Sequence, residues 1–408
     1  MFAENIPPNL RLLQIRRRIA GGDVANGHSP HSMRRMARYI HQRREWPAFT
    51  WSQGELALPL STVRFAQGRL LGKMAGLGLV ARSETSMQAV TDEVMKSSEI
   101  EGEKLNRAHV RSSVARRLGL DIGGLPHTDR HVEGVVEMIL DATQRYRAPL
   151  DAARLFDWHA ALFPTGRSGM RRLAVGTWRP DTGEPMQVVS GPLGRERVHF
   201  EAPKAPRIEA EMRAFLDWFN GSALLDPLIV AGLAHLWFVT IHPFEDGNGR
   251  IARAVADMAL ARSEDSASRF YSMSSQIRRE RKTYYRILET TQKGSLDVTP
   301  WLAWFLACLG RAVGKADDVV QGVVHRSHFW ERISGAPINE RQRKVLQRLL
   351  DGFEGKLTSS KWAKLADCSQ DTASRDIADL VARGILTKDP AGGRSTSYSL
   401  VRAGQEQS

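Results

Sequence analysis

"TIHPFEDGNGRIAR", residues 240–253, gathers a histidine, two acids, two glycines around an asparagine, and two arginines into one short stretch. A helix, strand or turn alone does not ask for that mixture, so the stretch is read as chemistry. Gly247 and Gly249 on either side of Asn248 suit a loop whose backbone N–H groups point one way. The residues that follow, "RIARAVADMALAR", are strongly helical. The loop therefore delivers the chain into a helix N-terminus, where unpaired amides and the helix dipole favour an anion, most often phosphate. Arg250 and Arg253, one turn apart, add charge and bidentate hydrogen bonds to phosphates. Asp246 at the loop entrance is a hard oxygen ligand suited to Mg²⁺ between phosphates. His242 precedes the loop, and a neutral imidazole titrating near ~6.5 takes a proton from a hydroxyl at physiological pH. The chemistry implied is attack by a hydroxyl on a nucleotide phosphate.

Upstream lies the longest apolar run, "ALLDPLIVAGLAHLWFVTIH", which Asp226, Pro227 and His235 interrupt. A membrane span of ~20 residues tolerates such groups poorly, so the run predicts a buried core helix leading into the motif and no membrane partner. The chain has 408 residues, 25% charged and 42% apolar, the usual globular balance and enough for about three domains. Its net charge of +13 favours an acidic partner such as nucleic acid, nucleotide phosphates or an acidic protein surface. The alternative is a basic surface that serves solubility. Cys308 and Cys368 form no disulfide framework or CxxC pair, and the N-terminal residues lack the secretory order of charges. A cytoplasmic location is expected.

Helical spacing dominates elsewhere, so the fold class expected is mainly α. Residues 1–33 form a poorly ordered N-terminal extension with little periodic pattern, and 34–85 a small helical N-terminal domain anchored by Trp46, Phe49 and Trp51. A helical core covers 86–315. One segment inside it, "GTWRPDTGEPMQVVSGPLGRERVHFEAP", has turn residues at both ends and in the middle, which predicts a β-hairpin around 185–200 with a Gly-Pro-Leu-Gly turn. A linker helix spans 316–334.

The last block, 335–408, changes rhythm. "NERQRKVLQRLLDGF" is a helix, "TSSKWAKLADCSQDTASRDIADLVARGIL" is two helices broken at Cys368-Ser369, and "TKDPAGGRSTSYSLV" is strand, turn and strand. That is the order of a winged helix-turn-helix. On this reading Gln370, Thr372, Ser374 and Arg375 face a DNA groove, Lys361 and Lys364 contact phosphates, and Arg394 sits in the wing. Protein docking is the other use of such a module.

"HPFEDGNGRIAR" resembles the Fic family motif, H-x-F-x-[DE]-G-N-G-R-x-x-R, at every specified position. The resemblance implies a Fic-type helical core that transfers AMP from ATP to a Ser, Thr or Tyr hydroxyl of a target protein. It makes His242 the general base, Asp246 the Mg²⁺ ligand and Phe244 a buried anchor. Gly247, Asn248 and Gly249 would line the phosphate site, with the backbone and side chain of Asn248 forming an anion hole. Arg250 and Arg253 would hold the distal phosphates.

"KSSEIEGEKL", residues 96–105, is similar to the family's inhibitory motif, [ST]-x-x-x-E-[GN], with Ser97, Glu101 and Gly102 at its specified positions. This implies an inhibitory helix around 90–105 whose Glu101 pairs with Arg253 and excludes the productive ATP pose. The hairpin resembles the family's flap, with Val188, Val189, Ser190 and Gly191 laying target backbone beside the site as an added strand. Tyr284 and Tyr285 correspond to a pair that lies against adenine in relatives. Where some relatives carry an asparagine after that pair, this chain has Gln292. A homodimer is also implied. Three alternatives stay open: removal of AMP, another phosphate-containing donor, and a winged-helix DNA-binding regulator whose Fic core senses nucleotide.

Overall fold

The computed structural model describes residues 38–120, 130–190, 197–222, 224–350, 355–390 and 396–401. The expected extension, 1–33, lies outside them. The chain divides into two compact units, one up to Val320 and one from Gln321. It is mainly helical. The first unit runs α1 (Gln53–Ala75), α2 (Leu79–Ile100), α3 (Arg107–Arg117), α4 (Arg130–Gln144) and α5 (Ala152–Leu162). The hairpins β1–β2 (Arg167–Ser168, Arg171–Arg172) and β3–β4 (Gln187–Ser190, Arg197–Glu201) follow. Then come α6 (Ile208–Gly221), α7 (Pro227–Ile241), α8 (Asn248–Glu264), α9 (Met273–Arg279) and α10 (Arg281–Gln292). The long helix α11 (Thr299–Arg332) runs across the division.

Helix α7 sits at the centre because its sequence leaves it no polar face. The Asp226 carboxylate caps its first turn by accepting from the Leu228 N–H at 2.8 Å, and Pro227 occupies the position where a missing N–H costs nothing. Every residue from Leu228 to Ile241 is buried. A helix apolar all round belongs inside a bundle, and α8 packs along it, itself buried from Ile251 through Ala261. The one ionisable group of α7, His235, shares a hydrogen bond of 2.9 Å with the Tyr284 hydroxyl through Nε2.

The described part of the segment expected as a small helical N-terminal domain, from residue 38 to 85, lies within the first compact unit. Trp46 and Phe49 pack edge-on against Trp237 of α7, with ring centres 6.2 and 5.6 Å apart. The Trp46 indole N–H donates to Glu211 at 2.8 Å. Thr50 exchanges backbone hydrogen bonds with Leu296 and Val298. Capped by Ser52, α1 turns Leu56, Val63, Leu70 and Met74 inward. Helix α2 begins at Leu79, earlier than the expected core boundary.

In the β3–β4 hairpin Gln187 pairs with Glu201 and Ser190 with Arg197, with an irregularity between Val188 and Val189. Its turn, including Gly191, lies outside the described residues.

The second unit contains α12 (Glu340–Leu350), α13 (Ser359–Ala366), α14 (Gln370–Ala382) and the antiparallel pair β5–β6 (Leu386–Lys388, Tyr398–Leu400). Leu357 adds a bridge to Tyr398. Its core gathers Trp362, Val345, Leu346, Ala373, Ile377, Leu380 and Leu386. Asp367, in the left-handed region at φ 52°, ends α13, and the Ser369 hydroxyl caps α14. Of the four residues expected to face DNA, Gln370, Ser374 and Arg375 are exposed, while Thr372 spends its N–H on the Ser369 cap. Arg394 lies outside the described residues. Among the described residues no helix is long and apolar enough to cross a membrane.

Candidate active site

The loop between α7 and α8 is held from inside. Phe244 is fully buried, its ring stacked on His159 at 4.2 Å and tilted against Trp178 at 5.3 Å. The Asn248 side chain clasps the backbone of the same residue: its Oδ1 accepts the Phe244 N–H at 2.9 Å and its Nδ2 donates to the Phe244 carbonyl at 2.8 Å. This takes the side chain, though not the backbone, of Asn248 out of the expected anion hole. The Asn248 amide is buried and spent on the loop, so the backbone N–H groups of the first turn of α8 are what remains for an anion. That turn starts at Gly247, φ 82°, with no side-chain cap, and such a terminus leaves its amides open.

His242 closes α7 in the left-handed region, φ 53°. Its Nδ1 lies 3.2 Å from the Val239 carbonyl, which accepts only, so Nδ1 carries the proton and Nε2 keeps its lone pair. Desolvation pushes its pKa down to about 4, with the Arg179 charge adding to the effect against the Val239 carbonyl, Glu101 and Asp246. The imidazole is neutral at pH 7, the state a general base needs.

Arg179 is a residue that sequence reasoning missed. Its Nε donates to the His242 carbonyl and its N–H to the Pro243 carbonyl, both at 2.8 Å. It fixes the backbone that carries His242. Its signal was faint, one arginine within "GTWRP".

Asp246 is part-exposed at the loop mouth. Its Oδ2 accepts the Ser168 hydroxyl at 2.5 Å and its Oδ1 the Gly247 N–H at 2.6 Å. Glu245 beside it holds Arg171 at 2.6 Å and the Ala174 N–H at 2.7 Å, so the β1–β2 hairpin is tied to the motif. Among the described residues no group of three or more His, Cys, Asp or Glu side chains is placed to hold a metal.

Helix α2 ends at Ile100, so Glu101 is its C-cap and lies just past the helix on which it was expected. Gly102 follows at φ 89°. The Gly102 N–H returns to the Glu99 carbonyl at 3.1 Å and the Glu103 N–H to the Ser98 carbonyl at 3.0 Å, a Schellman turn. That turn requires the left-handed conformation at its second residue, which glycine adopts without strain.

The turn lowers the Glu101 carboxylate onto α8. Its Oε1 is 2.8 Å from Nη1 of Arg253. It also sits 2.2 Å from where a Cβ on Gly249 would stand, so it rests against the Gly249 backbone. Arg253, fully buried, donates from Nε to the Ser97 hydroxyl and from Nη2 to the Ser97 carbonyl, both at 2.9 Å. Burial works against its charge, but Glu101 outweighs that and holds the guanidinium above its ordinary pKa. Arg250, also buried, meets Glu103 at 2.8 Å and lies over the Phe163 ring at 5.1 Å. The sequence offered no pattern for Glu103.

The other expected site residues lie nearby with different tasks. Tyr284 is buried against His235, while Tyr285 is part-exposed and its hydroxyl donates to the Ile100 carbonyl at 3.3 Å. Gln292 is buried and donates to Thr240 at 3.2 Å. On the hairpin, Val188 packs toward Tyr39 and Phe200, Val189 is half exposed, and Ser190 meets His199 at 2.6 Å. His199 in turn meets Glu289 of α10 at 2.7 Å, anchoring β4 to that helix.

Comparison with known proteins places these elements. Residues 149–260 match the Fic/DOC family, and residues 39–120 match a domain of unknown function, DUF4172. The chain is similar to protein adenylyltransferase Fic of Nematostella vectensis, 34% identical over 121 residues, 28% of this chain and 26% of that protein. It is also similar to protein adenylyltransferase Fic of Aedes aegypti, 26% identical over 239 residues, 57% of this chain and 43% of that protein. The chain thus spans less than half the length of these relatives. A solved Fic family protein from Desulfovibrio desulfuricans G20 superposes with a TM-score of 0.50 at 21% identity, covering 88% of this chain and 99% of that one, a likeness of fold.

Proposed function

We propose that the chain, which belongs to the Fic family, is a protein adenylyltransferase restrained by its own Glu101. In this reading a Ser, Thr or Tyr hydroxyl oxygen of a target protein attacks the α-phosphorus of ATP. A new P–O bond forms, the bond to the β-phosphate oxygen breaks, pyrophosphate leaves, and the hydroxyl proton passes to Nε2 of His242. The observation that carries the reading is Glu101, a carboxylate resting on the Gly249 backbone and paired with Arg253. An internal anion there marks a place built for an external one. The α8 amides would hold the α-phosphate, and Arg250 and Arg253 the phosphates beyond it.

Mg²⁺ fits the donor set in a limited way. Asp246 supplies a single part-exposed carboxylate, so the ion would take its remaining ligands from nucleotide phosphates and water, as Mg²⁺ commonly does. When bound it would neutralise phosphate charge. The neutral, oriented imidazole of His242 favours catalysis over passive nucleotide sensing. For the second unit, the exposed Gln370, Ser374 and Arg375 on α14 support the winged-helix reading.

The enzyme reading is tested with ATP labelled at the α-phosphate. His242→Ala lowers labelling of a target, or of the chain itself, by about 10²-fold or more, the usual weight of a general base. Because burial holds the His242 pKa near 4, the base stays unprotonated and wild-type labelling persists as pH falls from 8 through 6. Labelling that is indifferent to His242→Ala refutes the reading.

A further inference from the structure

We propose that Glu103 is a second inhibitory carboxylate in the same site, occupying Arg250 as Glu101 occupies Arg253, so that one turn closes both phosphate-gripping arginines. The proposal rests on the reading of the site as a nucleotide site. Its first support is the state of Arg250. The guanidinium is buried, and Nη1 stands 2.8 Å from Glu103 Oε2 while the Asp246 carboxylate is 3.9 Å away. A buried cation needs a close anion, and Glu103 fills that need before a nucleotide arrives.

The second support is backbone geometry. Gly102 and Glu103 both return hydrogen bonds to the last turn of α2, so Glu101 and Glu103 are presented by one rigid turn. Arg250 and Arg253 lie on one face of α8, one turn apart. Two carboxylates on one turn therefore meet two arginines on one helix face, each contact at 2.8 Å. The third support is mobility. The Glu103 side chain is 39% exposed, so it can swing into solvent without unfolding the turn. Its other oxygen lies 3.1 Å from Nε2 of His131 in the first turn of α4, which offers the carboxylate a place to be held. The carboxyl is kept below its ordinary pKa: burial pushes it up, but the His131 hydrogen bond and the Arg250 charge outweigh burial.

The consequence is specific. Removing Glu101 frees one arginine and leaves the other paired. A nucleotide with a phosphate tail must still displace Glu103, whereas AMP, which lacks the β- and γ-phosphates, does not compete for Arg250. Calorimetric titration of the full chain with ATP and with AMP, in the presence of Mg²⁺, separates these cases. The proteins compared are Glu101→Gly and Glu101→Gly/Glu103→Gln. The double variant should bind ATP about fivefold to tenfold tighter than the single one, the scale of one charge-assisted pair, with AMP affinity unchanged within about twofold. Equal ATP affinity in the two variants overturns the proposal, as does an equal gain for AMP, which would mark a merely structural role. Loss of ATP binding in both variants refutes the nucleotide reading itself, and the proposal with it.

Discussion

Two helix ends face each other across the site, the N-terminus of α8 and the C-terminus of α2, and they are stabilised in opposite ways. The α8 end is held by its own loop: Asn248 clasps the Phe244 backbone, Phe244 is buried among His159 and Trp178, and Arg179 ties down residues 242 and 243. The α2 end carries Glu99, Glu101 and Glu103 with no basic residue in its last turn. Carboxylates at a helix C-terminus oppose the dipole, at roughly 0.3–1 kcal/mol each. What offsets this comes from elsewhere. Arg253 and Arg250 meet Glu101 and Glu103, and Arg281 donates to the helix-terminal Ile100 carbonyl at 3.0 Å. The α8 end therefore keeps its shape without the α2 turn, and that turn keeps its place only while Arg250 and Arg253 are free to hold it. On the proposed reading, a nucleotide that competes for those arginines would displace the turn directly.

The comparison breaks first on the rigid side. Asn248→Ala leaves the buried Phe244 N–H and carbonyl without partners, and should cost about 2–6 kcal/mol of stability at ~1–3 kcal/mol per orphaned group. Denaturant unfolding measures it. A loss below about 1 kcal/mol would mean that the loop is held by other contacts. The releasable side should respond in kind but less. Gly102→Ala forces a β-carbon into φ 89°, which costs about 1–2 kcal/mol confined to the turn. Labelling should rise several-fold while global stability falls by no more than that amount. Gly102→Asn should keep most of the restraint, since asparagine adopts the left-handed cap. If alanine and asparagine behave alike, the Schellman turn is not what presents the carboxylates.

How much of this could be read beforehand follows from what each contact needs. The residues from His242 to Arg253 are contiguous, so their chemistry is visible as a motif, and the apolar run before them predicts α7. The hairpin is legible from its turn residues. Glu101 is legible only by resemblance, and its place beyond the helix is signalled in sequence only by Gly102, which marks the stop. Glu103, Arg179 and Ser168 escape a linear reading because their partners lie 63 to 147 positions away. The second acid of "EGEKL", a lone arginine before a proline and a lone serine in a basic turn carry no spacing that points across such gaps. The task of the Asn248 side chain is hidden for a different reason. A short amide beside glycines suits an anion and a backbone clasp equally well, and only the burial of Phe244 decides between them.

The central claim is that Arg253 is shared between the nucleotide and Glu101. The most direct measurement is the initial rate of labelling from ATP carrying a labelled α-phosphate, wild type against Glu101→Gly at equal protein and Mg²⁺. Removing a charge-assisted contact to a buried arginine, at ~1.5–3 kcal/mol, predicts a rate at least about tenfold above wild type. Arg253→Ala added to the same chain should take that gain away. Equal rates for wild type and Glu101→Gly, or a gain that survives Arg253→Ala, would contradict the account.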